Sequence, residues 1–136
     1  MNTSVFFYGT LKRGQRSHHL LRDQEFVSEA KTLPRYRLYD CGQHPALVDD
    51  PQNGIAIHGE VWRVNDETLK KLDEYEGVPD YFSRRPILLQ GGRDVSTSRS
   101  LDCDVQAYFF NGDVSSLKDV GDRWAEADQR VNRRLV

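Results

Sequence analysis

Cysteine is scarce: only Cys41 and Cys103 occur in 136 residues, alongside a single methionine and five prolines. One possible bridge in a chain of this length makes no disulfide scaffold of the secreted kind, and two free, buried thiols are expected. Long apolar runs are also missing, since no stretch approaches the ~18 residues of a membrane span. Met1 to Phe7 lacks the basic start and apolar run of a signal peptide. Neither sign of charge prevails, with nineteen Lys and Arg against twenty-one Asp and Glu. No global field then draws the chain to nucleic acid or anionic lipid. The expectation is a soluble, cytoplasmic protein that binds neither nucleic acid nor membrane. Glycine forms neither a phosphate-binding loop with Lys-Ser/Thr nor a dinucleotide fingerprint, so nucleotide cofactors have no support.

What is present suits one domain over residues 1–136, because 38% hydrophobic and 10% aromatic residues can build a core. Ser4 to Tyr8 reads as a strand buried on both faces, stopped by Gly9 and followed by a turn-rich Thr10 to Gln15. A short helix is expected around Ser17 to Arg22, then strands over Phe26 to Thr32 and Tyr36 to Asp40. Gly42, Pro45, Pro51 and Gly54 make Cys41 to Gly54 a loop. Ile55 to Val64 alternates as the longest strand, with Gly59 marking a bulge or close backbone approach. Asn65 or Asp66 caps a helix that ends before Gly77. Strands follow at Ser83 to Gln90 and Cys103 to Phe110, separated by a polar excursion over Gly91 to Asp102. Leu117, Val120, Trp124, Ala127, Val131 and Leu135 recur at helical spacing in a closing helix. The fold class is α+β with a curved or barrel-like sheet.

One carboxylate sits on an apolar helix face. Glu76 lies four residues after Leu72 and seven after Leu69, and at 3.6 residues per turn it projects between them. Glu67, Lys70, Lys71 and Glu74 point the other way. In the last turn the helix dipole disfavours negative charge, so burial and the dipole together raise its pKa. A general base working near neutrality requires such a raised carboxylate. The alternative is a side chain that bends to solvent or accepts bonds from a neighbouring loop. Asp73, about 60° round the helix from Glu76, is the rival acid and equally a structural acceptor.

Other constellations point less far. His18, His19, His44, His58 and Cys41 match no common zinc spacing, and no metal site is expected. Cys41 with His44 resembles a nucleophile and base only superficially. Arg130, Arg133 and Arg134 read as a solvated helix end.

Tyr8-Gly9-Thr10-Leu11-Lys12 follows the first strand, and Gly42 to Leu47 contains Pro45-Ala46. Gly59-Glu60-Val61-Trp62 comes next, then Leu72-Asp73-Glu74-Tyr75-Glu76-Gly77 with Tyr81 and Arg84 behind it. In this order and over most of the chain, these motifs resemble the gamma-glutamylcyclotransferase family, nearest its short bacterial-type and gamma-glutamylamine cyclotransferase-like members. The resemblance implies a small mixed β-barrel with flanking helices and a cavity at the barrel mouth. It also implies release of 5-oxoproline from a small-molecule gamma-glutamyl substrate, without metal or organic cofactor, by a monomer or homodimer. Glu76 matches the catalytic glutamate. Tyr8, Gly9, Thr10 and Leu11 match the loop that holds the glutamyl group, Tyr81 fits the downstream tyrosine, and Arg84 reads as structural. His44 stands where many members have tyrosine before Pro-Ala, a departure that bears on the pocket wall. Two other readings of the same residues stay open: a binding module that turns nothing over, and a gamma-glutamyl amide hydrolase that releases glutamate.

Overall fold

The computed structural model describes residues 2–15, 17–42, 44–90 and 105–124. The strands are β1 (Asn2–Phe7), β2 (Glu25–Lys31), β3 (Tyr36–Asp40), β4 (Pro45–Asp49), β5 (His58–Asn65), β6 (Phe82–Pro86), β7 (Gln106–Phe110) and β8 (Lys118–Asp119). A 3-10 turn covers His18–Leu21 and the helix α1 covers Asp66–Glu76. Five strands form one sheet in the order β2-β5-β1-β7-β6, and three form a second in the order β4-β3-β8. β1 runs antiparallel to β5 and parallel to β7, so it lies at the centre of the larger sheet.

Alternation along β1 and β5 explains the layers. Phe6 and Val61 point to one side, where they pack with Leu38 and Leu47 of the second sheet. Val5, Phe7, Trp62 and Val64 point to the other, where they meet Leu72 of α1. The expected burial of β1 on both faces is therefore observed, and each such large side chain removed from water contributes roughly 1.5–3 kcal/mol. Gly59 makes the close approach its position suggested, because a Cβ there would lie 2.5 Å from Phe6 Cζ. Asn65 caps α1 by accepting from the Thr68 amide at 2.8 Å, and Gly77 ends it in the left-handed region at φ 69°.

The barrel expectation is corrected. Neither sheet closes: the larger ends on β2 and β6, the smaller on β4 and β8. Among the described residues the outer ends of the larger sheet meet at an isolated bridge between Thr32 and Leu89 and at a Gln90 side-chain bond to the Thr32 carbonyl. Pro86 has no N–H to extend the β6 ladder, and β2 slips register between Phe26 and Ser28, so neither edge carries the continuous pairing that closure demands. The α+β class stands, with a single α-helix among the described residues.

Three local readings also change. Pro45–Asp49, expected within a loop, pairs along β3 as an edge strand whose first residue is proline, a position that needs no ladder N–H. The long strand begins at His58, three residues after Ile55, which makes only an isolated bridge to Tyr36. Residues 117–124 of the expected closing helix instead hold turns and β8, which pairs with β3. The rest of that helix, the Gly91 to Asp102 excursion and Cys103 lie outside the described residues. Cys41 is free but half-exposed, not buried, because it sits where the chain turns from β3 to β4. Among the described residues no helix is long and apolar enough to cross a membrane.

Candidate active site

A cavity of about 570 Å³ opens where β1 ends, between its following loop, the β3–β4 turn and the C-terminal end of α1. Its lining includes Tyr8, Gly9, Thr10, Leu11, Glu76 and Tyr81, so all six expected site residues border one space. The turn after β1 is held from several sides. Tyr8 is buried and its hydroxyl donates to the Tyr108 carbonyl at 2.6 Å. Gly9 packs so near β4 that a Cβ would lie 2.5 Å from Pro45 Cγ. Thr10 Oγ1 shares a hydrogen bond with the Tyr75 hydroxyl at 2.9 Å, which also meets Ser17 Oγ at 2.8 Å and thereby ties the turn to α1. Leu11 is buried in the same cluster as Leu72. Among the described residues, no protein acceptor pairs with the amide N–H groups of Gly9, Thr10 or Leu11.

Glu76 lines this cavity from the last helical turn. Burial, then the nearby charge of Asp73, pushes its pKa up to about 8. No hydrogen bond or ion pair to this carboxylate occurs among the described residues. Asp73 is the opposite case. Arg84 clamps it with Nε on Oδ1 at 2.9 Å and Nη2 on Oδ2 at 3.0 Å, while the Tyr108 hydroxyl donates to Oδ1 at 2.7 Å. The two acids that the helical wheel placed side by side are thus sorted by their partners, with Asp73 the structural acceptor and Arg84 its counter-ion. Tyr81 stands at the rim, 70% exposed, with its ring against Gly77.

Sequence reading overlooked Tyr108, whose ring lines the cavity while its two polar ends bond Tyr8 and Asp73. Its place in an alternating strand resembled that of any core aromatic, and only the pairing of β7 beside β1 reveals the role. His44 also lines the cavity, with its ring 5.8 Å from that of Phe82. Among the described residues no three His, Cys, Asp or Glu side chains gather as metal ligands.

This geometry agrees with the comparisons to known proteins. A family model described as gamma-glutamyl cyclotransferase, AIG2-like, matches residues 5–127. The chain belongs to that family. A gamma-glutamylaminecyclotransferase of Homo sapiens is 39% identical over 93 residues, 63% of this chain and 61% of the human protein. One of Bos taurus is 41% identical over 98 residues, 65% of this chain and 58% of the bovine protein. The chain thus spans about three fifths of these two relatives. The crystal structure of an AIG2-like protein from Mus musculus superposes with a TM-score of 0.61 at 26% identity, covering 82% of this chain and 77% of that one. Membership makes the chain a protein of gamma-glutamylcyclotransferase type; residues of the Tyr8, Pro45 and Glu76 motifs and Tyr81 border one cavity within the matched span, while Gly59 and Glu60 line a separate cleft.

Proposed function

We propose that this chain is an active gamma-glutamylcyclotransferase that releases 5-oxoproline and a free amine from a gamma-glutamyl amine, with Glu76 moving the proton. The observation that carries the reading is an unbonded glutamate with a raised proton affinity, facing a cavity bordered by an amide-rich turn. The reaction is an intramolecular aminolysis. The substrate α-ammonium gives a proton to the Glu76 carboxylate, and the freed nitrogen attacks the γ-carbonyl carbon to form the five-membered ring. The bond to the leaving amine then breaks as Glu76 returns the proton to that nitrogen, and the ring nitrogen gives up its second proton to solvent to leave the lactam N–H. Because nucleophile and carbonyl share one chain, holding it curled supplies much of the acceleration, with effective molarities of ~10⁵ M or more. The N–H groups of Gly9, Thr10 and Leu11, without a protein acceptor among the described residues, suit the glutamyl carboxylate or the carbonyl oxyanion. Tyr81 at the rim suits contact with the departing group.

An amine as leaving group is favoured by the names of the mammalian relatives and by charge. Among the described residues the cavity lining contains Glu74 and Glu76 and no lysine or arginine, so a carboxylate on the departing part finds no counter-ion among them. Mass spectrometry of gamma-glutamyl amines, amino acids and isopeptides incubated with the protein tests the whole reading. The expected products are 5-oxoproline and amine, with kcat lowered ~10²-fold or more in a folded Glu76→Gln variant. Free glutamate as the product assigns a hydrolase instead, and ligand stabilisation without turnover assigns a binding module. Full turnover by the variant removes Glu76 from the chemistry.

A further inference from the structure

Asp73 is tied down by three bonds yet lies one helical turn before Glu76, outside the cavity lining. Three bonds from two side chains hold its carboxylate in one orientation: both oxygens face Arg84, and Oδ1 also receives the Tyr108 hydroxyl. Tyr108 has a second tie, because its carbonyl takes the Tyr8 hydroxyl at 2.6 Å. An unbroken chain of contacts therefore runs from Arg84 through Asp73 and Tyr108 to Tyr8, the first residue of the substrate-facing turn. We propose that Asp73 is a positioning residue for this site: clamped by Arg84 and Tyr108, it pins the cavity wall beside Tyr8 and sets a fixed negative charge behind Glu76. The inference rests on the reading of Glu76 given above.

The charge balance around Glu76 explains why one neighbour matters. From its own helix come Asp73, Glu74 and Tyr75, from the end of β1 and the middle of β7 come Tyr8 and Tyr108, and from the β3–β4 turn come Cys41 and His44. Tyr81 adds a phenol at the rim. Burial, with the charge of Glu76 or Asp73 added, keeps Tyr8 and Tyr108 protonated at any ordinary pH, so neither offsets a carboxylate. Arg84 is turned toward Asp73 and is absent from the cavity lining. Asp73 is therefore a like charge near Glu76, and Arg84 moderates it.

Two variants with opposite expected signs test this. Asp73→Asn keeps the shape and acceptor of the side chain but removes the charge, so the ionisation midpoint of Glu76 falls by about one unit. Arg84→Gln leaves Asp73 without its counter-ion, and the midpoint rises. The readout is direct titration of the Glu76 carboxyl by carbon-13 NMR in the full chain, with the resonance assigned by its loss in Glu76→Gln. This readout needs no substrate, so it stands apart from the turnover reading. Where turnover is seen, the acid limb of kcat/KM moves in the same two directions. Unchanged midpoints, or equal shifts of one sign in both variants, overturn the proposal even if 5-oxoproline release still depends on Glu76. If Asp73→Asn does not fold, Arg84→Gln alone decides: an unmoved or lowered midpoint refutes the charge role.

Discussion

Two clefts in this molecule each hold a glutamate withdrawn from solvent, and they treat it in opposite ways. The cleft beside β5, about 430 Å³ and lined by Lys12, His58 and Arg123 among others, contains Glu60. Burial alone pushes Glu60 up, but the Arg13 amide at 3.0 Å, the Trp62 indole at 3.1 Å and the Arg13 guanidinium at 3.1 Å outweigh it and hold the pKa below the ordinary carboxylate value. The cavity at the end of β1 contains Glu76, which receives no donor among the described residues and is pushed up to about 8. Burial is the largest upward push on both carboxyls, so it does not by itself set the opposite signs. Donors do. A carboxylate with three donors is fixed as an anion and serves the fold, whereas one without donors can take and release a proton near neutrality.

The same contrast has a stability signature of opposite sign. Glu76 binds its proton more tightly folded than unfolded, so its favourable contribution is complete below the unfolded value of 4.5 and is lost as pH rises through about 8. Glu60 is depressed, so its contribution is present above 4.5 and lost as pH falls through its folded value. Urea melts should therefore show Glu76→Gln more stable than the parent at pH 9, by up to about 5 kcal/mol for the full shift from 4.5 to about 8, and equal to it near pH 4. Glu60→Gln should be less stable by about 1–2 kcal/mol at neutral pH, with the gap narrowing in acid. Equal signs for the two variants at pH 9 would break the comparison.

A smaller effect probes the wall that Glu76 faces. Gly9→Ala puts a methyl group 2.5 Å from Pro45 Cγ, and the first residue of β4 must shift or the turn must open. The expected cost is about 1–2 kcal/mol. KM should also rise, because the displaced amides belong to the proposed glutamyl-binding turn. Thermal melts and Michaelis kinetics read the two quantities, and a variant unchanged in both would show that the close approach has no part in shaping the cavity.

Much of this site was legible because its signals are local. The face of Glu76 follows from the spacing of Leu69 and Leu72 within one helix, and the cap at Asn65 and the stop at Gly77 bound that helix within a residue. The double burial of β1 follows from its apolar run, which also marks where the cavity-lining turn begins. What could not be read depends on partners far along the chain. Arg13 meets Glu60 across 47 residues, and Tyr108 meets Asp73 across 35, so neither the depressed acid nor the clamped one announces itself in its own segment. Open sheets were mistaken for a barrel for the same reason, since closure depends on whether distant edges pair. β4 was hidden by Pro45 and the flanking glycines, whose turn chemistry outweighs a five-residue edge strand in any local reading.

The most direct test of the central claim is the pH dependence of kcat/KM for 5-oxoproline release between pH 5 and 10. With Glu76 as the unbonded base, the rate should climb with a single ionisation and level off above about 8, the value to which burial and Asp73 push its carboxyl. A profile already flat from pH 5, as an ordinary exposed carboxylate would produce, contradicts the account.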